Sequence, residues 1–239
     1  SAASDAVQRF SMATVTPHAI SQALLARLLM PLGRLTDGRA LADIPVTDRL
    51  SELDFELRLG TAESTTRLAD VAALLGEWLK PDDHLAAYPD ALAQPGLADQ
   101  VLRGFLTGSI DSVLRIPSQT GPRFVVVDYK TNRLGPVDNL TLGHYSGAAM
   151  TAEMIRTHYP LQALLYCVAL HRFLRRRLPS YDPSVHLGGV GYLFVRGMAG
   201  RPAAGSVPTG EPATGVFNWF PPAGLISDLS ELLADRSLR

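Results

Sequence analysis

The chain has 239 residues, 46% of them apolar, with 22 Lys/Arg against 23 Asp/Glu. That length and apolar content suffice for one large domain, and the near-neutral balance argues against a globally basic nucleic-acid-coating protein. The single cysteine, Cys167, excludes an internal disulfide and a cysteine-based metal centre, and the sequence has no apolar run of the roughly 18 residues a membrane span needs, so a soluble, reduced, cytoplasmic protein is expected.

In chain order, residues 1–30 read as helical, most clearly over 19–30, where Ile20, Leu24, Leu25 and Leu28 form one stripe. His18 precedes that helix, and the opening reads as a start in mid-domain. A loop anchored by Leu41 and Ile44 leads to 51–59, where Leu53, Phe55, Leu57 and Leu59 alternate with Glu52, Asp54, Glu56 and Arg58, the pattern of a half-buried strand. Residues 70–80 predict a short amphipathic helix with Asp70 as N-cap, and 81–100 a loop. Strands are expected over 108–116 and 123–131, joined by the turn 117–122. A helical region over 151–178 is broken at Pro160, with His158 and Tyr159 closing its first part. Residues 189–196 are apolar on both faces and predict a central strand. A mobile Gly/Pro-rich loop (198–216) precedes a last strand and an amphipathic helix. No repeat or boundary is visible, so the chain reads as a single α/β domain over 1–239: an N-terminal helical and loop part (1–48), a core (49–197), the loop (198–216) and a C-terminal strand and helix (217–239).

Charge is unevenly spread. Residues 41–100 hold 12 Asp/Glu against 4 Lys/Arg, whereas 121–201 hold 10 Lys/Arg against 4 Asp/Glu, so the second stretch suits a surface that handles a polyanion. Within it, period-2 geometry puts Phe124, Val126, Asp128 and Lys130 on one strand face, with Asp128 and Lys130 roughly 6.6 Å apart along the strand. A hairpin with Gln119 and Thr120 at its tip pairs residues whose numbers sum to 239, which sets Asp111 opposite Asp128. Opposed β-carbons lie about 4.5–5.5 Å apart, and like charges there destabilise a sheet unless a positive group lies between them. A divalent cation is the natural candidate, and oxygen-only ligands favour Mg²⁺ or Mn²⁺ over zinc. Two acids beside one lysine are the parts of metal-dependent phosphodiester cleavage: the cation activates water and neutralises the phosphate, and Lys130 stabilises the transition state or orients the water. An Asp-x-Lys ending a strand is commonly a surface accident; the register that pairs the acids is what raises it above one.

Four blocks, GFLTGSIDSVLRI, RFVVVDYKTNRLG, YPLQALLYCVALHRFLRRRL and GGVGYLFVRG, stand in the order found in the C-terminal nuclease domains of RecB, the helicase–nuclease subunit of bacterial RecBCD, and the chain resembles that family from about residue 49 to 235. The resemblance implies a restriction-endonuclease-like (PD-(D/E)XK) α/β core, a central mixed sheet flanked by helices. It implies a Mg²⁺-dependent deoxyribonuclease acting in double-strand-break processing and recombinational repair, fed by a helicase motor outside this chain, with DNA, RecC-like and RecD-like subunits and the rest of a RecB chain as partners. By the same resemblance Asp111 and Asp128 are metal-binding acids, Tyr129 offers its backbone carbonyl to the metal, Lys130 is the catalytic lysine and Glu52 an upstream acid of the site. Gln162 and Tyr166 match a Gln-x-x-x-Tyr signature, and at i and i+4 they share a helix face.

The family also draws a metal-binding histidine from an early Gly-x-x-x-His helix, which this sequence lacks; His18 does not match it. A fragment beginning downstream of that histidine, binding metal weakly, is the expectation, and a catalytically degenerate scaffold or subunit-docking module is the alternative. A stand-alone endonuclease is disfavoured by the lack of a compact basic cradle. Arg172, Arg175, Arg176 and Arg177 fit either phosphate contacts or compensation of a helix C-terminus. His144, His158, His171 and His186 lack metal-ligand spacing, and Trp78 and Trp219 read as anchors.

Overall fold

The alternating segment does form a strand, β1 (Arg49–Arg58), at one edge of a five-stranded mixed sheet of order β1-β2-β3-β4-β5. The structure is a computed structural model describing residues 16–60, 63–198 and 214–234. The other strands are β2 (Phe105–Ile116), β3 (Arg123–Lys130), β4 (Leu187–Phe194) and β5 (Val216–Trp219). Neighbours run antiparallel except β3 and β4, which are parallel and so need a long crossover. Strand β4 is sandwiched between β3 and β5 and buried on both faces, as its unbroken apolar run predicts.

Helices α1 (Pro17–Leu28), α2 (Leu68–Trp78), α3 (Tyr88–Leu92), α4 (Gly147–Arg156), α5 (Tyr159–Arg177), α6 (Pro183–His186) and α7 (Ala223–Leu232) flank this sheet. On one face, α5 supplies Ala163, Leu164, Cys167 and Leu170 to a core completed by α2, α3, α4 and α7. The other face is covered by irregular chain, with Met30, Leu32, Leu35, Leu41 and Ile44 packed on Leu114, Val125, Val127 and Leu193. Gly191 permits this: a β-carbon there would lie 2.7 Å from Leu35 Cδ1.

Several boundaries depart from expectation. His18 lies within the first turn of α1, whose N-cap is Thr16. The α1 leucine stripe is not core: Leu24, Leu25 and Leu28 are 55%, 48% and 40% exposed. The helix is tied down instead by Arg27, whose Nε donates to Val195 O at 2.7 Å. Asp70 is not an N-cap but stands a turn inside α2, where its Oδ2 accepts from the Arg67 backbone N–H at 2.7 Å. The stretch read as loop over 81–100 contains α3. The break between α4 and α5 falls at Thr157–His158, with His158 left-handed (φ 54°), so Tyr159 opens α5 rather than closing α4. The loop expected over 198–216 lies almost wholly outside the described residues.

The arginine cluster at the end of α5 is partly structural. Arg172 Nε donates to Ser230 Oγ (3.0 Å), Nη2 to Ser230 O (2.7 Å) and Nη1 to Arg58 O (3.4 Å), clamping α7 and β1 to α5. Arg175 lies 3.9 Å from Glu231. Trp78 and Trp219 are anchors, their indole N–H groups donating to Asp228 and Asp83.

Beside the clamp, buried His171 makes a 3.0 Å hydrogen bond with Tyr181 Oη, and burial, helped by Arg175 and Arg172, holds its imidazole below its ordinary value. The unfolded chain then binds the proton more readily. Stability from neutral His171 is fully present above roughly pH 6.5 and is lost as pH falls toward the depressed folded value, with a slope of at most about 1.4 kcal/mol per pH unit. Urea unfolding of wild type across pH 5–8 is expected to show this acid-side decline, and His171→Gln to lack that component.

Candidate active site

The hairpin closes in the expected register. Ser112↔Val127, Val113↔Val126, Leu114↔Val125 and Ile116↔Arg123 are partners; the paired register ends at Ser112↔Val127, one residue short of Asp111 and Asp128. Val126, Asp128 and Lys130 face α5, while Val125 and Val127 face the opposite core.

Regular pairing between β1 and β2 is interrupted at this level. Ser51↔Ser112 and Leu53↔Ile110 are partners, but Glu52 and Asp111 between them are not. Glu52 adopts a left-handed backbone (φ 55°), a conformation that costs a non-glycine residue about 1–2 kcal/mol. In β2, Ile110 and Val113 join the same core cluster although strict alternation would separate them. The slip frees the Asp111 side chain to cross the sheet, where Oδ2 accepts from the Tyr129 backbone N–H at 2.9 Å.

Asp128 is 3% exposed, and its Oδ2 lies 2.7 Å from Lys130 Nζ. Among the described residues no donor other than this ammonium reaches the oxygen. Burial raises the Asp128 carboxyl above its ordinary range, the lysine opposes this and the Asp111 carboxylate adds to it. Lys130 Nζ donates to Gln162 Oε1 at 3.0 Å, and Gln162 Nε2 donates to Tyr166 Oη at 2.9 Å. An ammonium only donates, so the Gln162 amide orientation is fixed by its partner. The Tyr166 phenol is pushed up to about 12, first by burial and then by the Asp128 and Asp111 carboxylates, so it stays neutral beside them. Phe55 meets its ring edge-on at 5.7 Å, and Gly108 makes room for Phe55, since a β-carbon there would lie 2.7 Å from its ring.

The seven residues singled out in the sequence are thus placed as follows. Asp111, Asp128, Lys130, Gln162 and Tyr166 form one continuous set between β2, β3 and α5. Tyr129 points to the opposite face and is 42% exposed, so only its main chain adjoins the set. Glu52 occupies the matching level of the next strand with its side chain exposed. Among the described residues no three His, Cys, Asp or Glu side chains converge as a metal-binding group, so Glu52 is not gathered with the two aspartates.

Two further residues, Tyr159 and Tyr192, border the lysine, and two more, Asn132 and Glu153, brace Tyr159 from behind; all four carried little sequence signal. Lys130 Nζ sits 3.9 Å from the Tyr159 ring centroid and 5.1 Å from that of Tyr192. Tyr159 Oη donates to Asn132 Oδ1 (3.1 Å), and Asn132 Nδ2 donates to Glu153 Oε1 (2.7 Å). A phenol inside the apolar β4 segment was the one available hint, because a buried tyrosine hydroxyl needs a partner.

A mixed five-stranded sheet flanked by helices, with two acids and a lysine on adjoining strands, defines an α/β domain of the restriction-endonuclease-like class. No family model matches the chain. It is 51% identical over 219 residues to the RecBCD enzyme subunit RecB of Mycobacterium tuberculosis (strain ATCC 25618 / H37Rv), a match covering 90% of this chain and 19% of that protein. It is 49% identical over 227 residues to the subunit of the same name from Mycolicibacterium smegmatis (91% and 20%), and 32% identical over 219 residues to that of Escherichia coli (92% and 16%). The chain is a homologue of RecB over a segment that makes up about a fifth of those relatives. Among the described residues no helix is long and apolar enough to cross a membrane.

Proposed function

We propose that this chain is a divalent-metal-dependent deoxyribonuclease domain that hydrolyses DNA phosphodiesters, and that it works within a cytoplasmic RecBCD-type enzyme during double-strand-break processing and recombinational repair. The observation that carries the reading is the convergence of Asp111, in the middle of β2, with Asp128 and Lys130 at the end of β3, the buried Asp128 Oδ2 lying 2.7 Å from the Lys130 ammonium. Similarity to proteins named as RecBCD subunits supports the assembly, with RecC-like and RecD-like subunits and a longer RecB-like chain as partners and a helicase motor feeding the DNA.

The donor set fits a hard cation. Asp111 and Asp128 would hold Mg²⁺, or Mn²⁺ in its place, together with the Tyr129 carbonyl, all through oxygen. When bound, the ion supplies neutralisation of the scissile phosphate and a more acidic water. The chain's own residues do the rest. Lys130, fixed by Gln162, keeps a positive charge where negative charge accumulates on the phosphoryl oxygens in the transition state. Tyr166 fixes the Gln162 amide by accepting from its Nε2, and the two close the wall toward α5. Glu52 is assigned an accessory role at the edge of the site, on the exposed side where substrate enters.

The test is cleavage of linear single- and double-stranded DNA by the purified chain in Mg²⁺ and Mn²⁺. Wild type is expected to cleave and Asp128→Ala to be inactive. Identical behaviour of the two at high protein concentration and in Mn²⁺ would make the domain a docking module instead.

A further inference from the structure

We propose that Tyr159 and Tyr192 are positioning residues for Lys130: their stacked rings form an aromatic wall that holds the ammonium in the one orientation the cleavage reaction uses. The inference rests on the nuclease reading for its consequence, but not for its geometry. Lys130 approaches two ring faces at 3.9 and 5.1 Å, and the rings stack on each other with centroids 5.6 Å apart and planes 22° from parallel. The wall comes from two elements, the start of α5 and the middle of β4, where Tyr192 is the register partner of Asp128.

Each ring is fixed from behind. Tyr192 Oη lies 3.1 Å from both Tyr159 O and Gln162 Oε1, two acceptors on the same helix turn that share its single proton, so either way it ties the strand to the turn that carries the other ring. Tyr159 Oη is held by Asn132, two residues past Lys130 on the same chain segment, and Asn132 is held by Glu153. A lysine side chain otherwise has four rotatable bonds and a large conformational entropy, and a hydrogen bond to Gln162 alone restrains direction but not swing. Ring faces attract a cation without accepting its protons as a carboxylate does. The ammonium therefore keeps a donor for a phosphoryl oxygen while its position is fixed. Losing one face is expected to lower turnover about tenfold through the loss of that attraction.

The sequence offers a direct probe, because Lys130 and Lys80 are its only lysines. In a sample labelled with ¹³C at lysine Cε, the Lys130 signal, assigned by its loss in Lys130→Arg, is expected well upfield of free lysine through the ring currents. Tyr159→Phe keeps the ring and is expected to keep the shift; Tyr159→Leu is expected to lose much of it and to lower kcat about tenfold with KM nearly unchanged. A wild-type Lys130 signal at the position of free lysine would overturn the proposal, and so would Tyr159→Leu turning over at the wild-type rate. Should wild type itself fail to cleave DNA, the nuclease reading falls, while the chemical shift still decides whether the wall holds the lysine. Tyr159 is only partly buried, so the leucine variant is expected to fold. If it does not, the wild-type shift alone decides.

Discussion

Lys130→Ala is expected to lower the rate constant for DNA cleavage about 10²–10³-fold with little change in KM, the signature of a charge that acts mainly in the transition state. The lysine contacts Asp128 and Gln162 through one ammonium, so its removal takes away the positive group nearest the paired acids. Lys130→Arg is not expected to restore the rate. A planar guanidinium cannot occupy the position of a compact ammonium lying 3.9 Å over the Tyr159 ring while also meeting Gln162 Oε1 at 3.0 Å. Single-turnover cleavage of a short linear DNA in saturating Mg²⁺ measures both variants. An arginine enzyme as fast as wild type would show that position matters less than charge.

The same pair carries the second large effect, on stability rather than rate. In metal-free buffer, Lys130→Met is expected to cost about 3 kcal/mol, because it leaves a carboxylate that is 3% exposed without its counter-charge. The figure stands at the low end for a broken buried pair because Asp128, already raised by burial, can take up a proton instead. That escape is available at low pH and not at high pH, so the deficit is expected to be larger at pH 8 than at pH 5. The double variant Asp128→Asn with Lys130→Met should recover roughly half or more of the loss, as expected when coupled partners are removed together. Urea unfolding of the four proteins provides the cycle. Additive losses would mean that the two groups do not interact.

How far this could be read from residues alone depends on whether the determinant was local. The β2–β3 register was legible because a short Pro/Gly turn fixes which residues face each other, and Ser112↔Val127 obeys the expected pairing. The central place of β4 was legible from its unbroken apolar run. The left-handed Glu52 was not, since strict alternation through 51–59 gave no sign that pairing with β2 would lapse at Glu52 and Asp111. Tyr159 and Tyr192 were missed because they meet Lys130 only after the crossover lays α5 over the sheet. Arg172 was read from composition as a phosphate contact or a dipole compensator. Its role as the α5–α7 clamp depends on Ser230, 58 residues away. The α1 stripe has core periodicity, yet its leucines are exposed, so periodicity marked a helix face without saying what covers it.

Together these features make the site a junction of three elements. A lapse in β1–β2 pairing releases Asp111, the end of β3 presents Asp128 and Lys130 on one face, and α5 brings Gln162 and Tyr166 to the lysine from above. The central claim is that Asp111 and Asp128 jointly hold one divalent cation. Calorimetric titration of wild type and Asp111→Ala with Mn²⁺ tests it most directly: one bound ion per wild-type chain, lost in the variant, is the predicted result. Equal binding by the two proteins, or no binding by either, would contradict it.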